Sequence, residues 1–364
     1  MTFNPRYTIT SKTANALMKI EAAKETIKNL SVTPILLFKL RETAKLQSTH
    51  YSTMIEGNRL TQIEVHEVIK KAKHFPKRER DEQEVLGYYA ALEEAEWLAK
   101  KKITIKEEII KKLHALIMGG GKTKVKPTEY RDGQNIIKDS RTGKIVYLPP
   151  EAKDVPVLMK SLIDWTNASN NLELAFPLKA AIFHYQFATI HPYYDGNGRT
   201  ARLITTLILH LGGYDLKGIY SLEEYYVENL NAYYNAIAIG PSHNYYMGRE
   251  TADISNWIEY FCVGMAEALE RVKEKAKEVS KQEPFDKSQL LRKLDPRQRK
   301  ALSIFEKSEI LYANDIAKLF KIKSRTATQI CQKWVNEEFL VISDFSKKAR
   351  KYKLAPRWSI LFNE

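Results

Sequence analysis

The sequence predicts a mainly α protein: a helical core carrying one β-hairpin, followed by a small winged helix-turn-helix domain. Three observations point there. Apolar residues recur at helical spacing through most of the 364 residues. One stretch, residues 135–148, reads instead as short apolar runs around a polar turn. Residues 285–364 then change character, holding 18 Lys and Arg against 9 Asp and Glu, so that +9 of the net charge of +14 sits there. The length exceeds what one core usually covers. The expected divisions are an N-terminal helical region (1–110), a core with the hairpin (111–282) and the winged-helix domain (286–364).

The elements follow in order. A helix running from about Leu40 ends at Gly57 and carries Ser52 and Glu56 on one face, four residues apart. The next helix opens with Leu60 as staple, Thr61 as N-cap, Glu64 closing the capping box and Val65 receiving the staple. Gly119-Gly120-Gly121-Lys122-Thr123 imitates a phosphate-binding loop, but Leu116 stands where its first glycine belongs and a helix (Ile109 to Met118) precedes it, so it reads as a helix exit. The hairpin comprises Ile136-Ile137, a turn from Asp139 to Lys144, and Ile145-Val146-Tyr147. Phe176 to Ile190 is a buried helix with Ala180, Phe183, Phe187 and Ile190 on one stripe, and Thr200 to Leu211 is another, stopped by Gly212-Gly213. A long charged helix, from about Ile254 to Lys281, leads into a linker at Gln282–Asp286. Cys262 and Cys331 stand far apart and read as small core residues, and His114, His184 and His210 lack ligand spacing, which favours core roles over metal.

Between the two buried helices lies His191-Pro192-Tyr193-Tyr194-Asp195-Gly196-Asn197-Gly198-Arg199-Thr200-Ala201-Arg202. The start of the following helix offers unpaired N–H groups and partial positive charge to an anion. Gly196 and Gly198 let backbone approach phosphate oxygens. Arg199 and Arg202 place two guanidinium forks on one face. Asp195 suits Mg²⁺ held through one carboxylate plus phosphate oxygens, and His191 has the pKa range for proton transfer near neutral pH. A glycine-rich structural turn explains any one of these residues; it does not explain all of them at this spacing.

The loop resembles the signature of the Fic family, HPFx(D/E)GNGRxxR, with Tyr193 in place of Phe. That resemblance implies a protein adenylyltransferase moving AMP from ATP onto a Ser, Thr or Tyr hydroxyl of a target protein, with ATP as co-substrate and Mg²⁺ as cofactor. It implies His191 as base, Asp195 as metal ligand, and Gly196, Asn197, Gly198, Arg199 and Arg202 around the phosphates. Ser52 to Asn58 resembles the family's inhibitory motif (S/T)xxxE(G/N), in which Glu56 would pair with Arg202 and obstruct the γ-phosphate. Tyr130 to Asn135 with Tyr147 to Pro150 resembles the family's flap, whose Ile136, Ile137, Val146 and Tyr147 would line up a target segment by strand addition; the role of Arg131 is open. Tyr233-Tyr234 resembles a tyrosine pair near the adenine. Gly240-Pro241-Ser242 stands where some members place an asparagine, which leaves the adenine contacts and the choice of nucleotide open. The resemblance spans about residues 35–265.

In the tail, Pro296 opens a helix (Arg297 to Lys307), Tyr312 to Phe320 forms a second, and a third runs from Ser324 to Glu337 with Ala327, Ile330, Cys331 and Trp334 inward. Ser324, Arg325, Thr328, Gln329 and Lys333 face outward, and strands at Leu340-Val341-Ile342 and Lys351–Leu354 flank a basic tip at Lys347–Lys351. Such a module suits DNA and protein partners alike. The rivals to adenylylation are removal of AMP or transfer of another phosphate-containing group at the same site, and a DNA-binding regulator whose Fic core senses nucleotide. No signal peptide or membrane-length apolar run is present, so a cytoplasmic location with no membrane partner is expected. The oligomeric state, a homodimer included, is open.

Overall fold

The computed structural model describes residues 2–29, 34–138, 142–168, 173–240, 243–281, 287–305, 308–344, 350–359 and 361. Residues 1–30 and 40–276 form one compact unit, and residues 31–39 and 277–364 a second. Parts of five expected features lie outside the described residues: the hairpin turn at 139–141, positions 241–242 of the Gly240-Pro241-Ser242 segment, the linker at 282–286, the end (306–307) of the helix expected from Arg297 to Lys307, and the basic tip at 347–349.

The first unit contains α1 (Ser11–Asn29), most of α2 (Pro34–Ile55), α3 (Gln62–Lys71), α4 (Glu79–Lys100) and α5 (Glu107–Ile117). The hairpin β1 (Ile137–Lys138) and β2 (Ile145–Tyr147) follows, then α6 (Val155–Asn167), α7 (Phe176–Ile190), α8 (Asn197–Leu211), α9 (Glu223–Glu228), α10 (Leu230–Ile237) and most of α11 (Ser255–Lys281). The α7–α8 pair is the centre, with α4 and α5 packed on α8 and α6 on α7. Almost every residue of α7 is buried, Phe183 and Phe187 completely, because neighbours close around it on all sides. Trp257 of α11 donates to the Ala181 carbonyl of α7 at 2.7 Å. Of the region 1–110, expected as a separate helical part, residues 1–30 and 40–110 share this unit with the loop at 191–202.

Local sequence rules explain the ends of the elements around the loop. Thr61 caps α3 and Glu64 returns the bond, while Leu60 and Val65 are buried in one cluster. The bounds of α7 are those the apolar pattern predicts. In contrast, α8 begins three residues before the expected Thr200. Gly196, at φ +75°, is its N-cap, and Asn197 and Gly198 already belong to the first turn. The cause is Asn197, whose side chain accepts from the Tyr193 N–H at 2.9 Å and donates to the Tyr193 carbonyl at 2.7 Å, closing the loop back on a residue four positions earlier.

The second unit holds α12 (Lys287–Lys293), which the sequence reading omitted, α13 (Pro296–Phe305), β3 (Leu311–Tyr312), α14 (Ala313–Phe320), α15 (Ser324–Asn336), β4 (Leu340–Asp344), β5 (Lys351–Leu354) and α16 (Pro356–Ser359). Its antiparallel sheet has the order β3-β5-β4. A core of its own, including Leu302, Ile316, Ala327, Cys331, Trp334, Phe339 and Trp358, holds it together. Cys262 and Cys331 are buried free thiols. Among the described residues, no helix is long and apolar enough to cross a membrane.

Candidate active site

His191 ends α7 in the left-handed conformation (φ 53°, ψ 59°), its N–H donating to Phe187 O at 3.0 Å. This turns the ring out of the helix line. Nδ1 lies 3.3 Å from the Ala188 carbonyl, which makes Nδ1 the protonated nitrogen and leaves Nε2 as the acceptor. The residue is partly buried. Burial lowers its pKa to about 4, against the opposing pull of the Ala188 carbonyl and the Glu56 charge, so the ring is neutral at pH 7.

Three supports fix the loop behind it. Arg131, buried, donates from Nε to the His191 carbonyl at 2.9 Å and from its Nη atoms to Gly133 and Pro150, the two roots of the hairpin. Asn135 donates to the Tyr193 carbonyl at 3.2 Å. His114 of α5 stacks on Tyr193, ring centroids 3.6 Å apart, and its Nε2 lies 2.9 Å from the Asp195 carbonyl. A Cβ on Gly196 would sit 2.9 Å from Met118 Sδ and 3.2 Å from that same Nε2, so only glycine passes here.

The two arginines differ in kind. Arg199 reaches Asp195 Oδ1 at 3.3 Å and Glu84 at 3.8 Å, yet its buried Nε and Nη1 have no hydrogen-bond partner among the described residues. Arg202 is buried and well satisfied, with Nε on Ser52 Oγ, and Nη2 on the Ser52 carbonyl and on Glu56 Oε1, each at 2.8 Å. Burial opposes its charge, but Glu56, Tyr233 and Tyr88 outweigh it and raise its pKa. A Cβ on Gly198 would lie 2.1 Å from Glu56 Oε1, so the carboxylate rests directly against the first turn of α8, the end where unpaired N–H groups collect.

The remaining expected residues divide. Ile136 and Val146 are exposed and Ile137 partly so, whereas Tyr147 turns inward and donates to the Thr189 carbonyl at 2.7 Å, anchoring the hairpin. Leu148 bridges to Asn244, which covers the β2 side and leaves β1 as the outer strand of the pair. Tyr233 is buried: its hydroxyl donates to His184 Nε2 at 3.0 Å, while His184 Nδ1 donates to Thr205 Oγ1 at 3.1 Å. Tyr234 is the ring of the pair that stays half exposed, its hydroxyl on the Ile55 carbonyl at 3.2 Å. Sequence reasoning missed His114, Glu84 and Tyr88. A lone histidine among the buried residues of α5 gives no signal that sets it apart from core. A cavity of about 160 Å³ among Leu40, Gln47, Tyr220, Glu224 and Arg271 is lined by none of the loop residues.

No group of three or more His, Cys, Asp or Glu among the described residues could hold a metal. Asp195, with its side chain about half exposed, offers one carboxylate, which fits a hard divalent ion shared with phosphate oxygens rather than a closed protein cage. The stranded nitrogens of Arg199 and the first turn of α8 fit the phosphates themselves.

Residues 104–209 match the model of the Fic/DOC family. The chain is 29% identical over 201 residues to a protein adenylyltransferase Fic of Drosophila willistoni, covering 54% of this chain and 38% of that protein. It is 30% identical over 181 residues to the one of Drosophila mojavensis, covering 49% and 34%. The chain thus spans less than half the length of these curated relatives. Among solved structures, a Fic family protein from Desulfovibrio desulfuricans has the same fold at 24% identity, TM-score 0.60, over 97% of this chain and 99% of that one. Fic-1 of C. elegans shares it at 22% identity, TM-score 0.58, over 74% and 73%. The matched residues, 104–209, enclose α5, the hairpin, α7, the loop and nearly all of α8, so this part of the chain has the sequence pattern of a Fic/DOC domain.

Proposed function

We propose that the protein transfers AMP from ATP to a hydroxyl side chain of a target protein, and that Glu56 holds this activity in check. One observation carries the reading: a neutral imidazole with Nε2 unprotonated stands on the same loop as Arg199, whose buried Nε and Nη1 have no hydrogen-bond partner among the described residues. The target hydroxyl oxygen attacks the α-phosphorus of ATP as its proton passes to His191 Nε2. The new P–O bond forms while the bond to the β-phosphate oxygen breaks, and pyrophosphate leaves. Arg199 and the first-turn N–H groups of α8 neutralise the leaving charge. Asp195 would hold Mg²⁺, which supplies further charge neutralisation when bound. The outer strand β1, beside exposed Ile136 and Val146, offers an edge to an extended target segment.

The contact of Glu56 with Arg202 and Gly198 supports the restraint. It occupies the arginine and the helix end that an outer phosphate would use. In Glu56→Gly, auto-modification should rise about tenfold or more, the factor that releasing roughly 1.4 kcal/mol of competing interaction gives. Mass spectrometry after incubation with ATP reports the mass added and the residue bearing it; a rate equal to that of the parent ends the inhibitory reading. A second reading, removal of AMP, is favoured by one feature. Glu56 is about a third exposed and could orient a water beside the same phosphorus. Presenting a pre-modified target to the parent protein and to Glu56→Gly separates the two: loss of label only with Glu56 present assigns hydrolysis.

A further inference from the structure

The second unit carries a surface that adenylyl transfer leaves unused. Helix α15 has eight exposed residues: Ser324, Arg325, Thr326, Thr328, Gln329, Gln332, Lys333 and Asn336. None is acidic and none is apolar. Ala327, Cys331 and Trp334 bind the opposite face into the core, so the outward face has a fixed orientation. Immediately before it, Lys318, Lys321 and Lys323 are exposed around the turn from α14, and with Arg325 they form a cationic ridge. Among the described residues none of these four pairs with a carboxylate. The acids of the unit are engaged elsewhere: Glu309 with Lys353, Glu337 with Lys333 and Glu338 with Arg357.

From this we infer that the α14–α15 face binds duplex DNA, with α15 in the major groove and the ridge on the flanking phosphates. Charge and composition choose this occupant. A protein-docking face is built on a buried apolar or aromatic anchor, and α15 presents none. Amide, hydroxyl and guanidinium side chains one and two turns apart are groups that read base edges. A ridge of cations without acid partners suits a polyanion. The sheet order β3-β5-β4 places a hairpin beside these helices, the arrangement of a winged helix-turn-helix. The inference goes beyond the proposed transfer and does not rest on it.

The test uses the full chain without ATP and a fluorescent random-sequence duplex of about 25 base pairs, followed by anisotropy across a salt series. Four phosphate contacts predict a log–log salt slope of about −3.6. The triple substitution Lys321→Ala, Lys323→Ala, Arg325→Ala should weaken binding at low salt at least about tenfold and flatten the slope by about 2.7. These positions are exposed, so the fold should persist, and circular dichroism verifies it. The control Lys122→Ala, Lys124→Ala, Lys126→Ala, exposed on the other unit, should change neither quantity. The inference is overturned if the parent shows no binding at low salt, or if control and ridge variants lose affinity equally. Poly-glutamate binding as tightly as the duplex at equal charge overturns it too, and assigns the face to acidic proteins. His191→Ala and Glu56→Gly should bind the duplex as the parent does, so failure of the transfer reading leaves this result intact.

Discussion

At the scale of single residues, the arrangement separates two guanidinium groups that the sequence writes identically. Arg202 has every near neighbour it needs, and Arg199 is buried with donors to spare. A stranded buried donor costs about 1–3 kcal/mol, a cost that a phosphate oxygen would remove. The motif made both arginines legible, but not this difference, because partners 150 residues away decide it. His191 was legible in type, and its tautomer only through the Ala188 carbonyl. His191→Ala should therefore lower transfer about 10²–10⁴-fold while calorimetry shows ATP affinity nearly unchanged; persistent transfer removes His191 from the base role. Titration follows the same logic. Burial lowers the pKa of His114 to about 4, of His184 to about 3 and of His191 to about 4. In the unfolded chain these rings return toward 6.5 and bind protons that the folded form refuses. Stability from this source is full above about pH 6.5 and is lost as pH falls through the window toward 4. Thermal melting at pH 7, 6 and 5 should show a falling midpoint, and a His184→Gln variant a shallower fall.

Among elements, the hinge of the site is the join of α7 to α8, and it is held from outside by α5. The apolar stripes located both long helices. The exact start of α8 escaped because Asn197 spends its side chain on the loop, a choice that helix propensity does not encode. The facing of the hairpin escaped for a related reason. A three-residue strand reads the same whether Tyr147 points out or in, and its bond to the Thr189 carbonyl is a fact of tertiary packing. His114 is the clearest case of a support that sequence could not rank. Its ring holds Tyr193 by stacking and the Asp195 carbonyl by a hydrogen bond. His114→Ala should cost about 2–4 kcal/mol of stability through cavity and lost bond. It should also raise the Mg²⁺ concentration needed for half-maximal ATP binding, because the Asp195 turn loses its anchor. His114→Asn, which can keep a donor but not the stack, should recover part of the metal effect and little of the stability. Equal metal requirements in all three proteins would reduce His114 to packing alone.

For the molecule as a whole, residues 277–364 together with 31–39 form one unit, and residues on both sides of position 110 share the other. Helix α4 belongs with α8, and Glu84 on it stands near Arg199, so the residues before 110 complete the site rather than precede it. Their share in the core was hidden because long-range pairing of amphipathic helices leaves no local mark. The second unit closes its own core with residues from Leu290 to Leu361. Ending the chain after Lys281 should accordingly leave the first unit folded, with a melting midpoint within a few degrees of the parent's first transition. Auto-modification by the truncated Glu56→Gly form should stay within about threefold of the full-length form, since roughly 0.6 kcal/mol is the scale of effects away from a site. A larger loss, with the truncated chain folded by circular dichroism, would mean that the second unit acts on the reaction itself, and the division into a transferring body and a DNA-reading body would have to be redrawn.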